Sequence, residues 1–308
     1  MARRRKGRPV HGWLLIDKPA GLSSAAVVAK TRRALDAEKA GHGGTLDPLA
    51  TGLLPIAFGE ATKTTAYVLS GRKSYRFLLR WGEARTTEDA EGEVVATSSV
   101  RPEREAIEQV LPEFTGPIRQ VPPVYSAIKV DGRRAYELAR AKEALDLAPR
   151  TVEILSIRLL DQPDPDHALF EVVSGKGAYM RSLARDLATR LGTVGHIASL
   201  RRTAVGPFKE EQAISLERFL ALGHSAAAFE ALHPIETVLD DIPALALTAS
   251  EAARLRQGQP VTPQDDGERA RLARIDDGVI VGARLDRLLI ALARIEDGRL
   301  RPVRIINR

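Results

Sequence analysis

The residues best suited to chemistry fall in two short segments. The first is Gly41-His42-Gly43-Gly44-Thr45-Leu46-Asp47-Pro48. A carboxylate stands there among glycines and apolar side chains. Pro48 fixes its own φ and biases Asp47 towards an extended conformation. Such a setting holds an acid rigidly at a pocket wall. A bare Leu-Asp-Pro run also reads as a turn or a helix start, and it is the glycine and apolar context that favours a site. His42 has no second histidine or carboxylate at ligand spacing, so no metal centre is indicated. The second segment is Ser174-Gly175-Lys176-Gly177-Ala178-Tyr179-Met180-Arg181. Two glycines flank Lys176 in a manner that suits phosphate, but the GxxxxGK spacing of a P-loop is absent. Arg181 either faces solvent or pairs with a distant carboxylate. Elsewhere, Tyr75 reads locally as a strand aromatic packed on the core, Asp89 as a loop acid, and Leu200-Arg201-Arg202 as a core leucine beside a surface basic pair. None of these singly identifies a function.

The elements that must position these groups follow from periodicity. Trp13–Ile16 is a short apolar strand ending at Asp17-Lys18-Pro19, and Ser23 or Ser24 can cap the helix 24–35 that follows. Ala40–Gly59 carries five Gly and two Pro in 20 residues. It therefore reads as a buried irregular loop, a rare and usually functional feature. Helices are expected over 61–69, 101–114, 136–142 and 179–191, the last with leucines at 183, 187 and 191. Strands are expected over 74–81, and over 152–160 and 168–174 as a hairpin turning at 163–166. Without a regular βαβ period the class is α+β, with a mixed or antiparallel sheet. Beyond residue 241 lysine disappears and short strands with Asp-Gly turns at 277–278 and 297–298 predict a small β-rich module over 242–308, after a linker at 233–240.

Composition limits the classes. The 308 residues exceed one small core and are ordinary in hydrophobic (44%) and charged (28%) content. No apolar run reaches the length of a membrane span, and the basic start lacks the apolar stretch of a secretory signal. Zero cysteines exclude disulfides and thiolate chemistry and fit a cytoplasmic protein. Net charge is 46 − 40 = +6, and only 10 of the 46 basic residues are Lys. Arginine forks suit phosphate and stacked bases, so nucleic acid is a plausible partner; a coding bias towards Arg explains the count equally well. Residues 1–9, with five positive charges, read as a disordered basic tail.

Taken together and in order, these motifs resemble the bacterial TruB family of tRNA pseudouridine-55 synthases. The matching pieces are GWLLIDKPAGLSS (12–24), GHGGTLDPLATGLLPIAFGEATK (41–63), SYRF (74–77), TTEDAEG (86–92), QVPPVYSAIKVDGRRAYELAR (120–140), SGKGAYMRSLARDL (174–187) and HIASLRRTAVGPF (196–208). The resemblance covers about 10–220, and the last 60 or so residues resemble the family's PUA-like RNA-binding domain. It implies a pseudouridine synthase fold over 10–235, a curved mixed sheet with a cleft across it, and isomerisation of uridine 55 in the T-loop of tRNA without metal or organic cofactor. It also implies residue roles: Asp47 as the catalytic aspartate, Tyr75 as the tyrosine stacking on the base, Arg181 as the partner of the aspartate, Tyr179 and Leu200 as pocket residues, His42 as a space-filler in the opened T-loop, Asp89 as a nearby acid, and Lys18 in a supporting role. One departure stands out. The family usually reads Thr-Asp-Thr where this chain has Arg85-Thr86-Thr87, so a polar network through that acid is not available.

These residue types suit the reaction. Extruding the base costs a few kcal/mol, and stacking on an aromatic face returns about 1–3 kcal/mol. An ionised Asp can attack the sugar or the ring, or remove a proton, and a neighbouring guanidinium favours that ionised form. Lys129, Arg133, Arg134, Arg201 and Arg202 are the expected phosphate contacts, with 120–150 as an arm that closes on RNA. The expected partner is the T-arm of tRNA, with no membrane and no obligatory protein partner, for a monomeric enzyme. The competing readings are a synthase acting on another RNA, an RNA-folding chaperone built on the same surface, and an unrelated hydrolase using Asp47, which would lack a partner base.

Overall fold

Alternation of buried and exposed residues decides the central sheet. In the computed structural model, which describes residues 7–126, 128–130, 132–141 and 145–308, Lys73–Trp81 forms a strand with Tyr75, Phe77, Leu79 and Trp81 on one buried face. Gly12–Lys18 and Thr51–Phe58 are buried on both faces and read as continuous apolar runs for that reason. Leu14 and Ile16 enter one core, while Trp13 and Leu15 enter a second core on the other side. The ten-stranded sheet runs, from one edge, Ile214–Ser215, Gly12–Lys18, Thr51–Phe58, Gly195–Val205, Lys73–Trp81, His167–Ser174, Arg150–Asp164 and Gly116–Gln120. Two short strands, Ala40–His42 and Phe208–Lys209, pair off this path.

The pairing is antiparallel except at two places. One is decisive. Thr51–Phe58 and Gly195–Val205 run parallel and meet only at Arg201↔Thr51 and Arg202↔Gly52. This seam joins the two halves of the sheet, and residues 43–50 lead straight into it. The helix Met180–Arg190, called the site helix below, packs its Leu183, Ala184, Leu187 and Ala188 into the first core. The sheet with its helices is the expected α+β architecture.

Several sequence expectations are corrected. The 40–59 stretch is not one irregular loop: its second half is the buried strand Thr51–Phe58, and only 43–50 is irregular. Pro112 splits the 101–114 helix into Arg104–Val110 and a 3₁₀ turn Leu111–Phe114. The basic tail is shorter than expected at its inner end, because Arg8 donates to the Asp36 carbonyl and lies over the Phe229 ring; residues 1–6 lie outside the described residues. The 233–240 stretch is packed, with Ile235, Val238 and Leu239 in the second core and His233 paired to Trp13. The helix expected over 136–142 is Ala135–Arg140, and Lys142 lies outside the described residues.

The C-terminal β-rich module is present as a four-stranded sheet: Ala244–Ala246, Ile280–Leu285, Leu288–Glu296 and Arg299–Ile305. The Asp297-Gly298 turn joins its last two strands with both residues at positive φ. Asp277-Gly278 precedes the first hairpin, which turns instead at Asp286 (φ 53°). The module has its own core and adds Leu289, Leu292 and Ile306 to the second core of the main sheet. Lys63 donating to Ile305 O and Glu60 accepting from Asn307 N tie the two together.

Gly52 makes the parallel seam possible. Its φ is +95°, and a Cβ there would stand 2.3 Å from the Arg202 carbonyl. Gly52→Ala is therefore expected to cost at least about 1–3 kcal/mol, seen as a Tm several degrees lower. An unchanged melting curve would show that the seam tolerates a side chain.

Candidate active site

Asp47 leaves the irregular loop just before the seam, and Arg181 rises from the first turn of the site helix. Their side chains meet: Arg181 Nε donates to Asp47 Oδ2 at 2.9 Å across 134 positions of sequence. The pair is lopsided, with the arginine side chain 4% exposed and the aspartate 36%. Arg181 is not a two-pronged partner of Asp47. Its Nη1 donates to Thr87 O at 3.0 Å and its Nη2 to Tyr125 O at 2.9 Å. Asp89, also buried, stands with Oδ2 3.8 Å from Arg181 Nε. Thr87 Oγ1 and the Glu91 amide both donate to Asp89 Oδ1 (2.5 and 3.1 Å), which fixes this second acid. Asp47, Asp89, Arg181, Ile197 and Leu200 line one narrow cleft.

Beneath the loop, buried cations serve its carbonyls. Lys18 is fully buried, and its Nζ donates to Pro19 O, Leu22 O and Pro48 O at 2.7–3.0 Å. Burial pulls its pKa down from 10.5 to about 8, with Asp47 opposing. Arg202 is buried too and donates to Leu53 O (2.9 Å), Gly44 O (3.0 Å) and Thr45 O (3.3 Å). It is a scaffold for the Asp47 loop, which corrects its expected place on the RNA surface. Arg201 points the other way, but both its nitrogen tips engage the Asp17 carboxylate (3.0 and 3.1 Å) and its Nε engages Glu210 (2.6 Å). Its charge is largely matched on the protein.

Tyr75 sits on the strand next to Arg202, in register with it. Burial raises its phenol pKa, with the Arg202 guanidinium opposing and Asp47 adding to the rise in smaller part. Tyr179 caps the start of the site helix and lies with Arg150 4.9 Å over its ring. Its backbone is gripped by Gln120, which donates to Tyr179 O at 3.1 Å and accepts from Tyr179 N at 2.8 Å. His42 is half-buried on Ala40–His42; burial and then Arg202 lower its pKa. Thr86, at the departure from the usual motif, accepts from Glu93 N at 3.1 Å and so closes the 86–93 turn. Lys129 is exposed on a short hairpin that also carries Arg133; the side chain of Arg134 lies outside the described residues.

Sequence reasoning missed three contributors. Ser23 caps the first helix, accepting from Ala26 N, which leaves the buried Ser24 hydroxyl to accept from Leu46 N (2.8 Å) and donate to Leu46 O (2.9 Å), one residue before Asp47. The Ser23-Ser24 pair was visible in the sequence, but not the division of labour. Gln120 and Arg185 gave no signal, because their partners are backbone groups or distant side chains.

This geometry can be set beside known proteins. The profile of the TruB family pseudouridylate synthase N-terminal domain matches residues 32–180, and that of the tRNA pseudouridylate synthase B C-terminal domain matches 181–240. A protein named tRNA pseudouridine synthase B from Rhodospirillum rubrum is 56% identical over the whole of both chains. The chain belongs to the TruB family. A second TruB relative of the same name, from Gluconacetobacter diazotrophicus, is 54% identical over 99% of this chain and all of its own. Among solved structures, one of a Cbf5-Nop10-Gar1 complex matches with TM-score 0.71 and 27% identity, covering 97% of this chain and 84% of that one. One of an H/ACA RNP bound to a substrate RNA containing 2'-deoxyuridine matches with TM-score 0.72 and 25% identity, covering 100% and 92%. The TruB profiles end at residue 240, before the C-terminal four-stranded module. No helix among the described residues is long and apolar enough to cross a membrane.

Lys18 makes a pH test. As an ammonium it has three donors for three carbonyls; above its lowered pKa of about 8 it loses one proton and one carbonyl is left unserved. Because the folded-state value lies below the ordinary 10.5, the proton leaves the folded protein first as pH rises. Global stability therefore does not fall on this account between about 8 and 10.5, while the grip of Lys18 on the three carbonyls loosens. Turnover should decline through about pH 8, and in Lys18→Met it should be lower throughout but lack that limb. An identical limb in Lys18→Met would assign it to another group, such as Lys73, which is lowered to the same value.

Proposed function

We infer that this protein isomerises uridine to pseudouridine at position 55 in the T-loop of tRNA, and that Asp47 is its catalytic residue. The observation that carries the reading is the Asp47–Arg181 pair lining a narrow cleft, in a TruB chain whose relatives named tRNA pseudouridine synthase B match it from end to end. The reaction breaks the C1′–N1 bond, turns the uracil and forms a C1′–C5 bond, so no atoms are gained or lost overall. It needs a group able to attack or accept a proton, held still in a site that admits a flipped base. Asp47 is such a group, held beside Arg181 at a narrow cleft. It is the more open member of its ion pair, and its backbone is braced from below by Lys18 and Arg202.

Tyr75 supplies a ring to stack on the extruded base, beside Arg202 on the neighbouring strand. Leu200 and Ile197 give the cleft an apolar wall, and Tyr179 stands at the start of the site helix. Asp89 adds a second carboxylate beside Arg181. His42 projects from the strand beside the loop and is read as packing in the opened T-loop. Lys129, Arg133 and Arg134, on the hairpin within 120–150, are the phosphate contacts of a closing arm. Arg201 and Arg202 are dropped from that role, because their guanidinium groups are already engaged by the protein. The C-terminal module is read as the PUA-like RNA-binding domain, acting on the same tRNA.

Asp47→Asn should abolish pseudouridine formation on unmodified tRNA while leaving tRNA affinity near that of the parent. Appreciable residual turnover, with pseudouridine mapped at position 55, would remove Asp47 from the chemistry. Arg181→Lys cannot serve Asp47 and two carbonyls with the same geometry, and a misplaced acid should cost about 100-fold in turnover. Affinity for tRNA should fall steeply as salt is raised, in line with phosphate neutralisation; a flat dependence would contradict the arm and its cations.

A further inference from the structure

Arg181 is only one of the side chains of the site helix that reach across to other segments. One turn on, Arg185 repeats the pattern. Its Nη1 donates to Glu88 Oε1 at 2.5 Å, its Nη2 to Val121 O at 3.0 Å, and its Nε to Asp186 Oδ1 at 2.9 Å. Ser182 Oγ donates to the same Val121 carbonyl at 2.8 Å. Two separate segments, 86–92 and 121–125, are thus each bound at two points by this helix: Thr87 O and Glu88 by Arg181 and Arg185, and Tyr125 O and Val121 O by Arg181 and by Arg185 with Ser182.

Glu88 is the unusual member. Its φ is +62°, a left-handed conformation that a glutamate adopts only under constraint. It stands between Thr87, whose carbonyl takes Arg181, and Asp89, whose carboxylate faces the same guanidinium. The left-handed turn at Glu88 is what lets both neighbours face Arg181. The Glu88 amide carbonyl is held by Ile197 N at 3.1 Å, and its side chain by Arg185. Residues 121–125, in turn, lead directly into the hairpin of Lys129 and Arg133.

We propose that Arg185 is a positioning residue for the reaction, coupling the root of the 120–150 arm, through Val121, to the left-handed turn at Glu88 that sets Thr87 and Asp89 against Arg181. The inference rests on the pseudouridine synthase reading and deepens it: Arg185 does not touch the cleft, yet it links the segment that meets RNA to the frame that aims Asp47. Contacts of this kind serve catalysis by fixing the groups that touch substrate rather than by touching it.

The test is steady-state kinetics on unmodified tRNA with Arg185→Gln, Glu88→Gln and the double variant, together with hydrogen exchange of the free proteins. Each single variant should lower kcat about tenfold with KM changed by less than about twofold, the split expected when binding is kept and alignment is lost. The double variant should be no worse than the poorer single, because both remove one coupling. Exchange should rise in 86–92 and 121–125 together in Arg185→Gln, with the Tm within a few degrees of the parent. A parental kcat in Arg185→Gln, a raised KM at unchanged kcat, or additive losses in the double variant would overturn the proposal. If the parent protein forms no pseudouridine in tRNA, the functional reading fails, and exchange alone then decides the coupling: loosening of one segment without the other refutes it.

Discussion

The Arg181 guanidinium is a full charge taken almost wholly out of water. Such a group is tolerated only when its nitrogens are hydrogen-bonded and its charge is matched, since an unpaired buried charge costs several kcal/mol. Its three directions are met by Asp47, Thr87 O and Tyr125 O. These lie on three segments that are themselves outside any regular element. Satisfying one side chain therefore draws the acid loop, the 86–92 turn and the 121–125 segment to a common point. The first turn of the site helix becomes the place where the site is assembled.

The same physics operates below the loop. Residues 43–50 are too rich in glycine and proline to form a strand ladder, so their carbonyls need other donors. Lys18 and Arg202 provide them, and Ser24 holds Leu46 from both sides. An irregular segment can lie close against a packed sheet because cationic side chains take the place of backbone partners. The arrangement also puts positive charge behind Asp47 while leaving its carboxylate the more accessible group. Replacing either cation by an apolar residue of similar size would remove donors from these carbonyls, which is why these two buried side chains shape the loop that carries Asp47.

The parallel seam completes this picture. Only two register pairs join the halves of the main sheet, and both involve Arg201 and Arg202. Arg201 secures the seam on one side through Asp17 and Glu210, while Arg202 secures the loop on the other. Because side chains alternate along a strand, adjacent arginines are sent to opposite faces. One dipeptide thus serves two unrelated tasks, and the buried Arg202 is not the surface cation that a basic pair suggests when read alone.

Strands and helices with clear periodicity were legible without coordinates: the alternating run at Lys73–Trp81, the leucine-striped site helix, the hairpin ending at Ser174 and the β-rich C-terminal module. So was the acid in its glycine-flanked loop, because special backbone conformations leave a compositional trace, and an ordered set of long motifs pointed to the family. What composition and spacing could not reveal was which long-range partner each polar group takes. Arg202 and Arg201 look alike in sequence, as do Ser23 and Ser24, and nothing local distinguishes Arg185 from a solvated helix arginine. The 233–240 stretch resembled a linker because its apolar residues have no period, yet they fill the second core. Local pattern decided which elements form, since backbone preference and burial act over a few residues. The site itself was decided by tertiary structure, because burying a charge requires partners that only the closed fold brings within 3 Å of it.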